Sequence, residues 1–547
     1  MKKRKKYKTM RAGLPPKGEA TGHGWLLSLL MAMAAAGMCE AATPHEGKAV
    51  PRVVVNILID QLRSDYLNAF MPLYGDEGFK RMLSEGFVYA QAEYPLANPD
   101  RAIAAATIAT GTTPANHGIV GTKWPDRETL RPTFCVTDRT QQGLGGTTEG
   151  LSPQYLATST LGDELKVATE GKALVYSIAP FSEAAILSAG HAADGVVWID
   201  DRTGRWSSST YYGGLPSWAN VRNQYHDLGS TLENTVWQPY SELVGNFSYF
   251  LSGGMKKPFA HKFKGDSRFA DFKTSGLVNE EVADVVSACV TSSAVGQDAI
   301  TDYITVTFYA GSYRHQPASD APMEIQDTYV RLDHALARLM RTVEEKVGHG
   351  KALFVVTSTG CVDEESADLA KYRIPTGTFD VKRAAALLNM YLVAVYGQGN
   401  YVETTFGTQL YLDHKLIESR QINMVEMLER SQELLIQLSG VKDVYTSQRL
   451  LQGAWTPGIS RIRAGYHPKY SGDILIEVSP GWHYYNEDTG QRQLVRESYV
   501  PFPVIFWGQD INGGTSTEPV TVDYIAPTLA KAMRIRAPNA CSLPPLF

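Results

Sequence analysis

The chain has 547 residues, of which 44% are apolar, enough to bury a large core as one α/β domain with insertions. Residues 1–41 hold eight basic and two acidic side chains of the 52 and 57, so without them the formal net charge falls from −5 to −11, which argues against nucleic acid as a partner. Beyond that leader four cysteines remain, Cys135, Cys289, Cys361 and Cys541, spaced too widely for a structural zinc site or a dense disulfide frame, although one or two disulfides stay open.

Residues 1–41 read as a signal peptide: a basic leader from Lys2 to Lys17, an apolar stretch over 25–38 too short to cross a bilayer, and small residues at a cut near Ala41 or Ala42. Export to the periplasm or envelope is expected. An uncleaved signal anchor and lipid attachment at Cys39 stay open, the latter disfavoured by the bulk of Met38. The mature domain then spans 42–547. The apolar run 53–59 predicts a buried strand that delivers Asp60 at its C-terminal end. A helix follows near 78–85, and a second, built of small residues, starts at Arg101. Gly143-Leu144-Gly145-Gly146 follows no strand and reads as a surface turn rather than a phosphate loop. A helix containing Asp163-Glu164-Leu165 precedes a strand at 173–178. Further strands are expected at 303–308, 352–356 and 503–508, with a long helix over 323–347. This alternation predicts a mainly parallel sheet sandwiched by helices. Two stretches break the rhythm and read as insertions at the sheet edge. One, near 200–295, is rich in Trp, Tyr, Ser and Gly. The other, near 395–485, includes an amphipathic helix over 424–438.

The strand ending in Asp60, then Asn98-Pro99-Asp100-Arg101 opening the small-residue helix, then Thr110-Gly111-Thr112-Thr113-Pro114-Ala115-Asn116-His117-Gly118 form one layout. It resembles the alkaline phosphatase superfamily, on the side of its phosphodiesterase/nucleotide pyrophosphatase and bacterial zinc alkaline phosphatase branch. Leu161-Gly162-Asp163-Glu164-Leu165, Ser188-Ala189-Gly190-His191, Trp198-Ile199-Asp200, Asp327-Thr328-Tyr329-Val330-Arg331-Leu332-Asp333, Pro480-Gly481-Trp482 and Asp523-Tyr524-Ile525-Ala526-Pro527-Thr528 continue the likeness in order. The resemblance implies an alkaline-phosphatase-like core. In active relatives it also implies two zinc ions that activate a Thr or Ser nucleophile and hold the phosphoryl oxygens.

Against that pattern, Asp60 keeps the first metal-ligand position and Arg101 occupies the nucleophile position. A guanidinium is always protonated and has no lone pair with which to attack phosphorus. The phosphate-binding Asn of the family is Thr122. The loop that should read Asp, three residues, His is Gly311-Ser312-Tyr313-Arg314-His315, and the Asp-His pair after the fourth strand is Thr359-Gly360. No histidine follows His483, so the last zinc ligand is missing from the stretch Gly490-Gln491-Arg492-Gln493-Leu494. A phosphate-contacting Lys and Arg of the monoesterase branch fall near Phe181 and Glu183, and Glu183 repels phosphate if it faces the site. Asp60 and His315 are thus vestigial metal positions, too few for two zinc ions, and no cofactor is expected.

The leading expectation is a catalytically degenerate exported protein with a binding or assembly role. A cation at a helix N-terminus is disfavoured by the dipole unless paired, so Arg101 either neutralises Asp60 in place of zinc or points to solvent. The alternative is a metal-dependent phosphoric ester hydrolase with a rearranged zinc centre. It would draw on His315, Asp320, Asp327, Asp363, Glu364 and Glu365, with Thr107, Thr359 or a metal-bound water as nucleophile. Two kinds of partner are expected. A protein could dock on the aromatic insertion around Trp206, Tyr211, Tyr212, Trp218, Tyr225 and Trp237, unless those rings pack a core. A small anion could sit near Arg101 and the helix N-terminus.

Overall fold

The computed structural model describes residues 49–244, 258–362, 375–454, 457–486, 491–495 and 500–547. The expected signal peptide therefore lies outside the described residues, as do Asp363, Glu364, Glu365 and Gly490. The elements that place the site are, in chain order, β1 (Val53–Asp60), β2 (Phe87–Glu93), α1 (Arg101–Thr110), α2 (Leu161–Ala168), β3 (Val175–Ala179), α3 (Ser182–Ala189), β4 (Gly195–Ile199), β5 (Trp206–Ser209), α4 (Leu277–Ser292), β6 (Asp302–Tyr309), α5 (Pro322–Val347), β7 (Ala352–Ser358), α6 (Val381–Tyr396), α7 (Met424–Leu435) and β8 (Phe502–Gly508).

Among the described residues these strands join an 11-stranded sheet whose centre runs β2-β8-β7-β1-β6-β3-β4-β5. From β7 through β4 every pairing is parallel, whereas β8 and β5 run antiparallel to their neighbours. All eight residues of β1 are buried, as its largely apolar run, broken only by Asn56 before Asp60, demands of a central parallel strand covered on both faces. Asp60 is in register with Tyr309 at the end of β6. The parallel strands therefore end together, and the loops leaving β1, β6 and β7 converge there, where open α/β sheets place their ligands.

Helices flank the sheet. In α1 every residue from Ala102 to Thr110 is buried, and its alanines let it pack closely on α3. Asp100 caps α1 by accepting the Ile103 N–H, and Gly111 ends it in the left-handed conformation with φ 64°. The long α5 starts with Pro322 in its first turn and lies against α4.

Three expectations need correction. The insertion placed near 200–295 is shorter, because β5 belongs to the main sheet and α4 is core, which leaves 210–276 between them. Its tryptophans Trp206, Trp218 and Trp237 are buried in the main core, so they offer no partner surface, whereas Tyr225 and Tyr240 stand exposed. The second insertion begins before 395, because α6 buries Leu388 and Leu392 in a separate core shared with α7 and a four-stranded sheet. Gly143–Leu144 is an edge strand paired with β5 rather than a free turn. None of the four cysteines beyond the leader forms a disulfide among the described residues. Among the described residues no helix is long and apolar enough to cross a membrane.

Candidate functional site

The converging strand ends carry a charged cluster built on Arg101. Asp60 closes β1 at 1% exposure, and the chain turns away at Gln61 with φ 65°. Just past β7, the Thr359 hydroxyl donates to Asp60 Oδ1 at 2.8 Å and accepts the Gln61 N–H at 3.0 Å. The other oxygen of Asp60, Oδ2, accepts from Arg101, with Nε at 2.8 Å and Nη2 at 2.7 Å. Arg101 Nη1 reaches Glu183 Oε1 on α3 at 2.7 Å. The guanidinium carbon lies 3.4 Å from the centre of the Phe181 ring, and Lys273 Nζ stands 4.7 Å from that same ring.

This geometry decides between the two roles open to Arg101. It pairs with Asp60, as a cation opposing a helix dipole must. The side chain is only 18% exposed, and burial alone would push its proton off; the carboxylates of Asp60 and Glu183 outweigh that and drive its pKa up. Next to it, burial raises the Asp100 carboxyl against the pull of the Ile103 and Thr122 N–H groups.

The other positions are also spoken for. The Thr122 hydroxyl donates to Asp100 Oδ2 at 2.9 Å. Thr107 lies inside α1 with its hydroxyl 3.2 Å from His117 Nε2, and burial holds His117 neutral with a pKa near 3. Asp327 accepts from the Trp237 indole, the Tyr240 N–H and Arg331. Asp320 is exposed in the loop before α5. Burial raises the Cys361 thiol, which donates to the Pro99 carbonyl at 3.3 Å.

His315 lies in the loop that leaves β6. Ala310 fastens the start of this loop to the Asp60 carbonyl at 2.8 Å, and Arg314 pairs with Asp271 at 2.6 Å. Arg314 and His315 both have φ 54°, and the imidazole meets Tyr309 edge-on at 6.3 Å between centres. The bonds of Asp60 go to Thr359 and Arg101. Among the described residues no group of three or more His, Cys, Asp or Glu is arranged to hold a metal ion. The donors of Asp60 do not fit zinc either, because a divalent ion there would face the guanidinium directly. Beside Arg101, where a small anion was expected, the guanidinium is bonded to the carboxylates of Asp60 and Glu183.

Residues 54–499 match the family described as type I phosphodiesterase / nucleotide pyrophosphatase. The chain belongs to this family. Among its relatives, alkaline phosphatase PafA of Elizabethkingia meningoseptica is 29% identical over 536 residues, spanning 94% of this chain and 96% of that protein. Alkaline phosphatase PhoV of Synechococcus elongatus is 28% identical over 506 residues, with 90% and 91% covered. The crystal structure of wild-type PafA superposes with a TM-score of 0.78 at 28% identity, covering 92% of this chain and 99% of that one. These matches place the family member in the alkaline phosphatase superfamily and agree with its mainly parallel, helix-flanked sheet.

Sequence reasoning offered an Asp60–Arg101 pair as one of two alternatives and aligned Phe181 and Glu183 with phosphate-contacting positions of the family. It missed Lys273 behind Phe181 and the Thr359 bond to Asp60. Lys273 sits 172 residues beyond Arg101 in an insertion, where no local pattern announces it.

Proposed function

We propose that this chain is a catalytically degenerate member of its family, in which an arginine-centred ion-pair cluster fills the place of the nucleophile and of the first metal ion. The observation that supports this most directly is the bonding of Arg101 to both Asp60 and Glu183. The position where attack on phosphorus would begin holds a permanently charged donor, and the first-ligand carboxylate is spent on it. The nearby hydroxyls of Thr359 and Thr122 donate to carboxylates rather than facing a base. What remains is an exported scaffold with a binding or assembly role. The test is turnover of an aryl phosphate and an aryl phosphodiester with zinc supplied. The expected result is no hydrolysis that Asp60→Ala removes; hydrolysis abolished by that substitution would overturn the reading. Elution of the endogenous protein from envelope extract as a lone monomer would remove the assembly half.

A second reading, a phosphoric ester hydrolase with a rearranged zinc centre, is favoured by one observation: relatives spanning nearly the whole chain are named alkaline phosphatases. It needs donors such as Asp363, Glu364 and Glu365, which lie outside the described residues.

A further inference from the structure

Away from Arg101, a hollow of about 450 Å³ opens between α2 and the strap 153–160, with Leu156, Lys166 and His191 among its walls. We propose that His191 is a protonation latch: its imidazolium bridges Asp163 and the Leu156 carbonyl, fastening the strap beside this hollow, and loss of the ring proton releases it.

The two acceptors around the ring favour its doubly protonated form. His191 Nδ1 lies 2.9 Å from Asp163 Oδ2, and Nε2 lies 3.1 Å from the Leu156 carbonyl oxygen. A carboxylate and a carbonyl only accept, and a neutral imidazole carries one N–H. Both contacts are therefore hydrogen bonds only when the ring is doubly protonated. Asp163 is fixed as the anion by further donors: the N–H groups of Thr160 at 2.8 Å, His191 at 2.7 Å and Ala192 at 2.9 Å. Removing the Nε2 proton leaves a lone pair facing the Leu156 oxygen, which turns an attraction into a repulsion.

The surrounding charges do not duplicate this role. On α2, Lys166 pairs with Asp194 at 2.7 Å, and Glu164 accepts from the Ser159 hydroxyl at 2.6 Å with Arg536 beyond it. From the side of the 206–212 segment, Tyr212 donates to the Gly190 carbonyl at 3.0 Å, and burial pushes the phenols of Tyr211 and Tyr212 up. Further ties of the strap are the Ala157 N–H to the His117 carbonyl at 3.0 Å, Ser159 to Asn539 at 3.1 and 2.9 Å, the Gln154 amide to the Thr137 carbonyl, and the Tyr155 ring edge-on to Trp124 and Tyr470. The bond to Asp163 raises the His191 pKa against the opposing effect of burial. A raised basic group stabilises fully below its unfolded pKa of about 6.5, and the gain is lost as pH rises through the folded pKa. The latch is closed at low pH and open at high pH.

Hydrogen–deuterium exchange of the whole mature chain, run from about pH 6 to about pH 9 and corrected for intrinsic rates, reads the strap directly. Peptides covering 153–160 are expected to lose about tenfold in protection across the His191 titration, and His191→Gln to abolish that step. Carbon-13 labelling of the histidine rings supplies the second readout: the resonance missing from His191→Gln should titrate above about 6.5. A midpoint below that value, a flat wild-type profile, or the same step in His191→Gln overturns the proposal.

Discussion

Two buried arginines in this molecule are built alike and do different work. Arg331 bonds to Asp327 at 2.6 Å, to Glu280 and to the Gln238 carbonyl, with its guanidinium 5.2 Å from the Tyr240 ring centre. Arg101 likewise has two carboxylates and an aromatic face. The Arg331 pair is local, four residues apart on α5, and its second carboxylate, Glu280, is 41% exposed, where solvent screens it. The Arg101 cluster joins residues 41 and 82 positions apart, and its second carboxylate, Glu183, is 8% exposed. The first cluster tethers an insertion to a helix. The second sets how β1, α1 and α3 meet, at the place where relatives' chemistry would sit.

That contrast orders the expected losses. Arg101→Ala strands two buried carboxylates and should cost about 3–5 kcal/mol in denaturant unfolding. Adding Asp60→Asn should restore about 1–3 kcal/mol, and strictly additive losses would deny the pairing. Arg331→Ala should cost less, about 2 kcal/mol, because Asp327 keeps the Trp237 and Tyr240 donors. Equal losses at the two arginines would break the comparison. Phe181→Leu sharpens it most finely, removing only the aromatic face for about 1 kcal/mol.

How legible each cluster was follows from the same geometry. The sheet could be read because β1, β6 and β7 are rich in β-branched and apolar residues and α5 keeps one face apolar along its length, so the pattern located them to within a residue or two. The Asp60–Arg101 pair was legible from electrostatics, since an arginine opening a buried helix must find an anion. Glu183 as its second partner was not, because that contact exists only once α3 packs on α1. The insertion boundaries failed for the opposite reason. Residues 200–295 look irregular by composition, yet Trp206 and Ser207 pair with β4 and α4 buries Val282, Val285, Val286 and Cys289, contacts that depend on the sheet already being assembled. His191 could be placed in a family segment, but no sequence pattern gives the two acceptors that grip its ring.

The central claim is that a guanidinium stands where a metal ion and a nucleophile would be. Anomalous diffraction at the zinc edge, from crystals of the mature protein grown with zinc in excess, tests it most directly. The account predicts Arg101 density against Asp60 and Glu183 with no anomalous peak beside Asp60. A zinc peak coordinated by Asp60, with Arg101 swung away, would contradict it.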